Sequence, residues 1–215
     1  VGQARGMAMH ESQSLLIEMQ ACRSADFVTF MAPRAREAFG GEGPAWDTEN
    51  LVRLSNRVEP GFIRVDADEV TYPLHIILRT RLERAMIDGE MTVEDLPAAW
   101  NESMSKFLGL TPSNDSEGCL QDIHWYSGAW GYFPTYTLGA MTAAQLFATA
   151  KRQNPELMSQ IAAGDFSPLM TFLRREVHSQ GSSLSGDAIL QAASGSSLDA
   201  EIFKDHLRSR YLPEN

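Results

Sequence analysis

The residues from Pro60 to Gly89 (PGFIRVDADEVTYPLHIILRTRLERAMIDG) decide the fold class. Their apolar side chains recur every three or four positions, which is the period of one face of an α-helix. These side chains are Ile63, Ala67, Val70, Leu74, Ile77, Leu78, Leu82 and Ala85. The pattern predicts one long amphipathic helix that ends at Gly89 and bends at Pro73, because an interior proline removes a backbone hydrogen bond.

Helical periods also dominate the rest of the chain, and no alternation of apolar and polar residues extends beyond a few positions. We therefore expect a mainly α, multi-helix fold with little or no β-structure. The other predicted helices cover residues 6–39 with a kink or division at Pro33, a short stretch from Thr48, about 92–108, 136–153, 155–163, 167–180, 187–193 and 197–210. Residues 111–136, rich in glycine and aromatic side chains, are expected to form an ordered loop.

The charge balance excludes some classes of partner. The chain carries 28 acidic and 18 basic residues, a net charge of −10, so phosphate backbones and anionic lipids would repel it. We expect no nucleic acid and no membrane as partner. Two cysteines and the lack of a signal-like segment predict a cytoplasmic, reduced protein. The chain begins with Val1 rather than Met, and we expect it to be the latter part of a longer protein.

Polar residues interrupt the helical pattern at two places. The run His10-Glu11-Ser12-Gln13-Ser14 lies near the start of the first predicted helix, where an acidic first turn that complements the helix dipole is one explanation. Arg64 lies early in the long predicted helix, where a cation is unfavourable without an anionic partner. That partner is either a nearby Asp or Glu or a ligand carboxylate, which a guanidinium binds well.

Two further runs lie in the predicted loop. They are Gln121-Asp122-Ile123-His124-Trp125 and Gly131-Tyr132-Phe133-Pro134-Thr135-Tyr136. Glycine lets a backbone approach a ligand, and tyrosines offer both ring surface and hydroxyl groups. These runs predict either one wall of a cleft or a buried aromatic cluster at a helix junction.

Taken together and in order, these runs resemble the thermostable (Taq-type) carboxypeptidase family of zinc metallopeptidases. HESQS, IRVDAD and GYFPTY match the family's HES/GQ, IRxxAD and GYxPTY signatures, and LHIILR and QDIHW fit the text between and beside them. The resemblance extends over essentially all 215 residues and corresponds to the C-terminal half of the family.

The resemblance implies a helical peptidase that releases single residues from peptide C-termini, binds zinc and forms a homodimer. It implies that Glu11 is the third zinc ligand, beside two histidines of an upstream H-E-x-x-H helix, with His10 and Gln13 near Glu11 and the substrate. Arg64 is then the candidate contact for the substrate carboxylate. His124, Tyr132 and Tyr136 are candidates to line the groove and stabilise the oxyanion.

The chain contains no H-E-x-x-H of its own: His10-Glu11 begins like one, but Ser14 stands where the second histidine belongs. We therefore expect the 215 residues alone to be inactive and to bind zinc only weakly. The alternative is a non-catalytic helical module that binds a peptide or a protein partner.

Overall fold

The computed structural model describes residues 2–212. They form two compact units, one built from the residues up to Arg57 and from Leu138 onward, the other from Val58–Thr137. The secondary structure of these residues is helical without strands, which confirms the predicted fold class. The helices are α1 (Met7–Leu15), α2 (Ala25–Ala38), α3 (Thr48–Ser55), α4 (Tyr72–Ile87), α5 (Leu96–Leu108), α6 (Pro134–Gln153), α7 (Leu157–Ala162), α8 (Ser167–Glu176), α9 (Gly186–Ser194) and α10 (Ala200–Tyr211).

No helix within residues 2–212 is both long enough and apolar enough to cross a membrane.

The first unit has its core among α1, α6, α8 and α9. The buried side chains of this core include Leu16, Leu146, Leu169 and Ile189. Gly139 on α6 brings that helix unusually close to α1. A Cβ added at Gly139 would lie 2.7 Å from the Cβ of Glu11 and 3.2 Å from the backbone N of Ser12. Glycine is therefore required where α6 meets the turn that carries Glu11.

The helix predicted over residues 6–39 is divided, but not at Pro33. The helix α1 continues as a π-helical turn (Leu16–Ala21), and a new helix, α2, begins after Ser24. The Ser24 hydroxyl oxygen accepts the Phe27 N–H at 3.2 Å, which is an N-cap bond. Pro33 lies inside α2 without ending it.

The second unit has its core between α4 and α5, with Leu78, Trp100 and Met104 buried. The helix α5 begins at Leu96 rather than near residue 92 as predicted. In the turn before it, the Asp95 carboxylate accepts the Thr92 N–H at 3.1 Å and the Thr92 hydroxyl at 2.7 Å. Its end is as predicted, at Gly109 in the left-handed conformation (φ 71°).

The prediction of a single long helix from Pro60 is wrong. The helix α4 begins only at Tyr72, which places Pro73 in its first turn, where no N–H is needed, so Pro73 starts the helix rather than bending it. The Asp68 carboxylate accepts the N–H groups of Val70 and Thr71, both at 2.9 Å, and so supports this start. Arg64 lies in a separate 3₁₀ turn (Arg64–Asp66).

Candidate functional site

The candidate residues fall into both units. Arg64, His124, Tyr132 and Tyr136 lie in the second unit, within one hydrogen-bonded and aromatic cluster described below. His10, Glu11 and Gln13 lie on α1 in the first unit.

The buried guanidinium of Arg64 is paired with Asp122. Its Nε and Nη2 donate to the same Asp122 oxygen, Oδ1, at 2.9 and 2.6 Å, and its Nη1 donates to the Tyr72 hydroxyl at 2.8 Å. The Arg64 backbone N–H donates to Gln121 Oε1 at 2.8 Å. The protein carboxylate expected as one of two possible partners for Arg64 is therefore present. A guanidinium has five N–H groups, and these bonds account for three of them.

A second arginine binds the other oxygen of Asp122. Arg79 is fully buried, and its Nε donates to Asp122 Oδ2 at 2.6 Å. Its guanidinium also lies 4.6 Å from the ring centre of Trp100, a cation–π contact. Arg64 lies 5.0 Å from the ring centre of Tyr136. In this group of three charged side chains, two positive charges face one carboxylate.

The three charged groups keep their charges at neutral pH. Burial raises the pKa of Asp122, but the hydrogen bond from Arg64 and the charges of both arginines outweigh it and hold that pKa below its usual value. Burial lowers the pKa of Arg64, yet the bond to Asp122 leaves it above its usual value. Burial lowers the pKa of Arg79 to about 10, with Asp122 opposing the shift.

His75 lies one helical turn before Arg79 on α4 and is completely buried. Its carbonyl oxygen accepts Arg79 Nη1 at 3.0 Å. Burial, and then the charges of Arg79 and Arg64, lower the pKa of His75 to about 4. The ring is therefore neutral at pH 7, and the two arginines remain the cations of this cluster.

His124 and Tyr136 form a hydrogen-bonded pair. The ring Nε2 of His124 lies 3.0 Å from the Tyr136 hydroxyl oxygen, and its Nδ1 lies 3.8 Å from Asp122 Oδ1. The Tyr132 ring centre lies 5.5 Å from that of His124 and 5.4 Å from that of Tyr136. Burial, aided by the charges of both arginines, lowers the pKa of His124, so the ring is neutral at pH 7. A neutral imidazole beside a phenol can donate or accept a proton.

Glu83 holds the loop that carries these residues. Its carboxylate is buried on α4, where it accepts the indole N–H of Trp125 at 2.9 Å and the backbone N–H of Gly131. Gly131 has a φ of 75°, a left-handed conformation that disfavours side chains. The loop between Asp122 and Phe133 is therefore fixed to α4 at both ends, by Arg79 and by Glu83.

On α1, Glu11 is half-buried and His10 is exposed. Both ends of the Gln13 amide have a hydrogen-bond partner. Its Oε1 lies 2.9 Å from His178 Nε2, and its Nε2 donates to the buried Ser12 hydroxyl at 2.9 Å. His10 and Gln13 line one cavity of about 480 Å³, together with His178.

The described residues do not form a complete metal site. Within residues 2–212 no three His, Cys, Asp or Glu side chains are close enough together to hold a metal ion. Catalytic zinc needs three protein ligands, so Glu11 does not suffice by itself.

The roles of Asp122, Arg79, His75 and Glu83 were not predicted from the sequence. Asp122 belongs to the run Gln121-Asp122-Ile123-His124-Trp125, but its position at the centre of the cluster depends on tertiary contacts. The other three recur at positions 75, 79 and 83, so they share one face of α4 and are all buried. A polar stripe at helical spacing inside an otherwise apolar segment was the available signal.

Comparison with known proteins places the chain in one family. The family described as carboxypeptidase Taq (M32) metallopeptidase matches residues 1–211. Thermostable carboxypeptidase 1 of Thermus thermophilus is 40% identical over 210 residues, which are 98% of this chain and 41% of that protein. Carboxypeptidase 1 of Bacillus subtilis is 40% identical over 205 residues, 95% of this chain and 41% of its own length.

Two solved structures are similar to the fold. Metallocarboxypeptidase 1 of Trypanosoma cruzi has a TM-score of 0.94 and 45% identity, covering 98% of this chain and 44% of that one. The M32 carboxypeptidase of Deinococcus radiodurans has a TM-score of 0.94 and 37% identity, covering 98% of this chain and 42% of that one. The chain thus spans less than half the length of these relatives. It belongs to the carboxypeptidase Taq (M32) metallopeptidase family.

Proposed function

We propose that this chain is the part of a zinc-dependent metallocarboxypeptidase that binds the free C-terminus of a peptide and supplies Glu11 as one metal ligand. The carrying observation is the buried group in which Arg64 and Arg79 share the single carboxylate of Asp122. One positive charge of this group is left for a ligand anion, and two N–H groups of Arg64 remain for it.

Arg64 is the better placed of the two arginines to contact a ligand. Its side chain retains 7% exposure, whereas that of Arg79 has none. A bound carboxylate would meet Arg64 in an environment that excludes most water, where a charge-assisted hydrogen bond is strong.

The His124–Tyr136 pair supports a role in transition-state stabilisation. The two groups are within hydrogen-bond distance of each other, and the Tyr136 ring lies beside Arg64. A phenol or imidazole N–H aimed at the reacting carbonyl would stabilise the negative charge that develops on its oxygen. Tyr132, in contact with both rings, would line the same groove.

The metal would need ligands beyond this chain. Glu11 is the chain's contribution to a His₂Glu set, and Gln13 and His10 on the same helix would help to orient it. When bound, zinc supplies an activated water and polarises the scissile carbonyl. The chain alone should therefore be inactive toward peptides and bind zinc only weakly.

The proposed partner is a peptide with a free C-terminus. Homodimer formation is proposed from the family resemblance. A cytoplasmic location is proposed from the composition, and the unpaired state of Cys22 and Cys119 is consistent with it.

The test is an assay of the protein encoded by the complete reading frame, with an unblocked dipeptide substrate and its C-terminal amide. We expect hydrolysis of the unblocked form only, and loss of both activity and bound zinc in Glu11→Gln. Glu18→Gln is the matched control, because Glu18 is an exposed glutamate whose ion pair with Arg23 spans 3.7 Å.

A reading frame that starts near Val1, with peptide binding but no hydrolysis, would instead establish the non-catalytic binding module. Hydrolysis by the 215-residue chain alone that a chelator abolishes would contradict the assignment of Glu11 as only one of several ligands.

A further inference from the structure

We propose that Arg79, which cannot itself reach a ligand, is a positioning residue that sets the orientation of Arg64 through Asp122. The inference deepens the proposed function, since it concerns how the carboxylate-binding guanidinium is held.

Arg79 itself has little freedom to move. Its side chain is completely buried, Nε is bonded to Asp122 Oδ2 at 2.6 Å, and Nη1 is bonded to the His75 carbonyl at 3.0 Å. Its guanidinium lies 4.6 and 5.6 Å from the ring centres of Trp100 and Phe133. Two hydrogen bonds and two ring contacts therefore define a single position for this cation.

The position of Arg79 decides how Asp122 meets Arg64. An isolated arginine–carboxylate pair favours a fork in which each oxygen accepts one N–H. Here Oδ2 is occupied by Arg79, and both Arg64 donors converge on Oδ1 instead. Removal of Arg79 would free Oδ2 to complete the fork, which requires the Arg64 guanidinium to turn relative to Asp122.

A turn of Arg64 would have consequences beyond the ion pair. Its Nη1 would move away from the Tyr72 hydroxyl, and its contact with the Tyr136 ring would change. Asp122 Oδ1 is also the carboxylate atom closest to His124 Nδ1, at 3.8 Å. One buried residue on α4 thus controls the arrangement of the groups assigned above to substrate binding.

Stability alone does not explain Arg79 well. Its Nη2 is buried and has no hydrogen-bond acceptor among the described residues, and burying an unsatisfied donor is unfavourable. A neutral apolar side chain at this position would leave a one-to-one Arg64–Asp122 pair, which needs no second cation. The arrangement is instead accounted for by what Arg79 does to Asp122.

The test uses NMR of the ligand-free 215-residue chain, with the Arg64 Nε–H signal and the His124 ring titration as readouts. In Arg79→Met we expect the Arg64 signal to shift and its hydrogen exchange to change by about tenfold, the effect of one charge-assisted hydrogen bond. The ring of His124 should titrate at higher pH, because a nearby positive charge is lost.

Arg79→Lys separates charge from geometry. An ammonium keeps the positive charge but cannot reproduce the planar group that binds Asp122 through Nε and the His75 carbonyl through Nη1. The Arg64 signal should therefore shift while the His124 titration stays closer to wild type. Arg84→Met is the matched control: Arg84 lies on the same helix, is 83% exposed, and pairs only with Asp88 at 3.2 Å among the described salt bridges. It should change neither readout.

A folded Arg79→Met chain with unchanged Arg64 and His124 signals would overturn the proposal. If Arg79→Met does not fold, a folded Arg79→Lys chain with an unchanged Arg64 signal overturns it equally. Titration of wild type with N-acetyl-phenylalanine tests the proposed function separately: absence of binding would reject carboxylate recognition, while the Arg64 signal still decides the role of Arg79.

Discussion

At the scale of single residues, Asp122 is the carboxylate that pairs with both buried arginines of the cluster. Its two oxygens are each bonded to a different buried arginine, and no other carboxylate is recorded in an ion pair with either arginine within residues 2–212. Sequence reasoning anticipated that Arg64 would need an anionic partner. It could not identify Asp122, which lies 58 positions away along the chain, because the choice among 28 acidic residues depends on tertiary contacts.

Asp122→Asn should be strongly destabilising. The carboxamide cannot neutralise either guanidinium, and leaving buried charge without its partner typically costs about 3–5 kcal/mol. The free energy of unfolding, measured by urea denaturation, should fall by about that amount. Asp88→Asn is the control, because its exposed pair with Arg84 should contribute less than about 1 kcal/mol. Equal stability of the two variants would show that the buried cluster is not held together by this carboxylate.

His75 should make stability depend on pH. Its pKa of about 4 in the folded chain lies below the unfolded value of about 6.5, so the unfolded chain takes up this proton first as pH falls. Its contribution is complete above about pH 6.5 and is lost progressively toward pH 4. At pH 5 the loss should be about 2 kcal/mol.

The measurement is urea denaturation of wild type and His75→Gln at pH 8, 7 and 5. Between pH 8 and 7 the contribution of His75 should be constant, which provides the baseline. Between pH 7 and 5 the variant should lose less stability than wild type, although His124, whose pKa is also lowered, keeps its share. Identical losses in both proteins would mean that His75 is not buried as a neutral ring.

At the scale of elements, sequence prediction succeeded where signals are local. The end of α5 follows from Gly109, which acts within one turn of itself, whereas the helix starts at Leu96 rather than near residue 92. Prediction failed for the start of α4, because the apolar period continues through residues that form a 3₁₀ turn and because Pro73 is compatible with a first turn as well as with a kink. Likewise, the first predicted helix is divided at Ser24 rather than at Pro33. The Ser24 cap bond needs a specific backbone geometry, which the sequence pattern does not reveal.

Glu83 joins two elements, α4 and the aromatic loop, and its replacement should loosen that loop. Glu83→Gln keeps one oxygen but places an NH₂ group where the second acceptor was, so either Trp125 or Gly131 loses its partner. An unsatisfied buried donor costs about 1–3 kcal/mol. Hydrogen exchange of residues 124–131 should accelerate, whereas Glu102→Gln, at an exposed position on α5, should leave it unchanged. Unaltered exchange in Glu83→Gln would contradict the role of Glu83 in fixing the loop to α4.

Gly139 sets the distance between α6 and α1. In Gly139→Ala the new Cβ would meet the Cβ of Glu11 at 2.7 Å, so α1 must shift or the chain must accept a clash. Overpacking of this kind typically costs about 1–3 kcal/mol. Gly186→Ala is the control, because its Cβ would find its nearest neighbour at 3.8 Å. Thermal unfolding should separate the two variants, and equal melting temperatures would show that α1 yields without cost.

At the scale of the whole molecule, the family assignment and the charge distribution support the same proposed role for this chain. The chain covers 41% of relatives such as the Thermus enzyme, and its described residues lack a complete metal site. What the second unit does contain is a buried cationic group with a neutral imidazole–phenol pair beside it. The role that we propose for this group is to recognise a peptide's free carboxylate, independently of the metal.

The most direct test is a titration of the 215-residue chain with N-acetyl-phenylalanine and with N-acetyl-phenylalanine amide, followed by NMR. The account predicts that the acid binds about tenfold or more tightly than the amide, because only the acid forms charge-assisted bonds. It also predicts that the acid shifts the Arg64 Nε–H signal, and that Arg64→Met removes the preference while Arg84→Met keeps it. Equal binding of acid and amide, or a preference that survives Arg64→Met, would contradict the account.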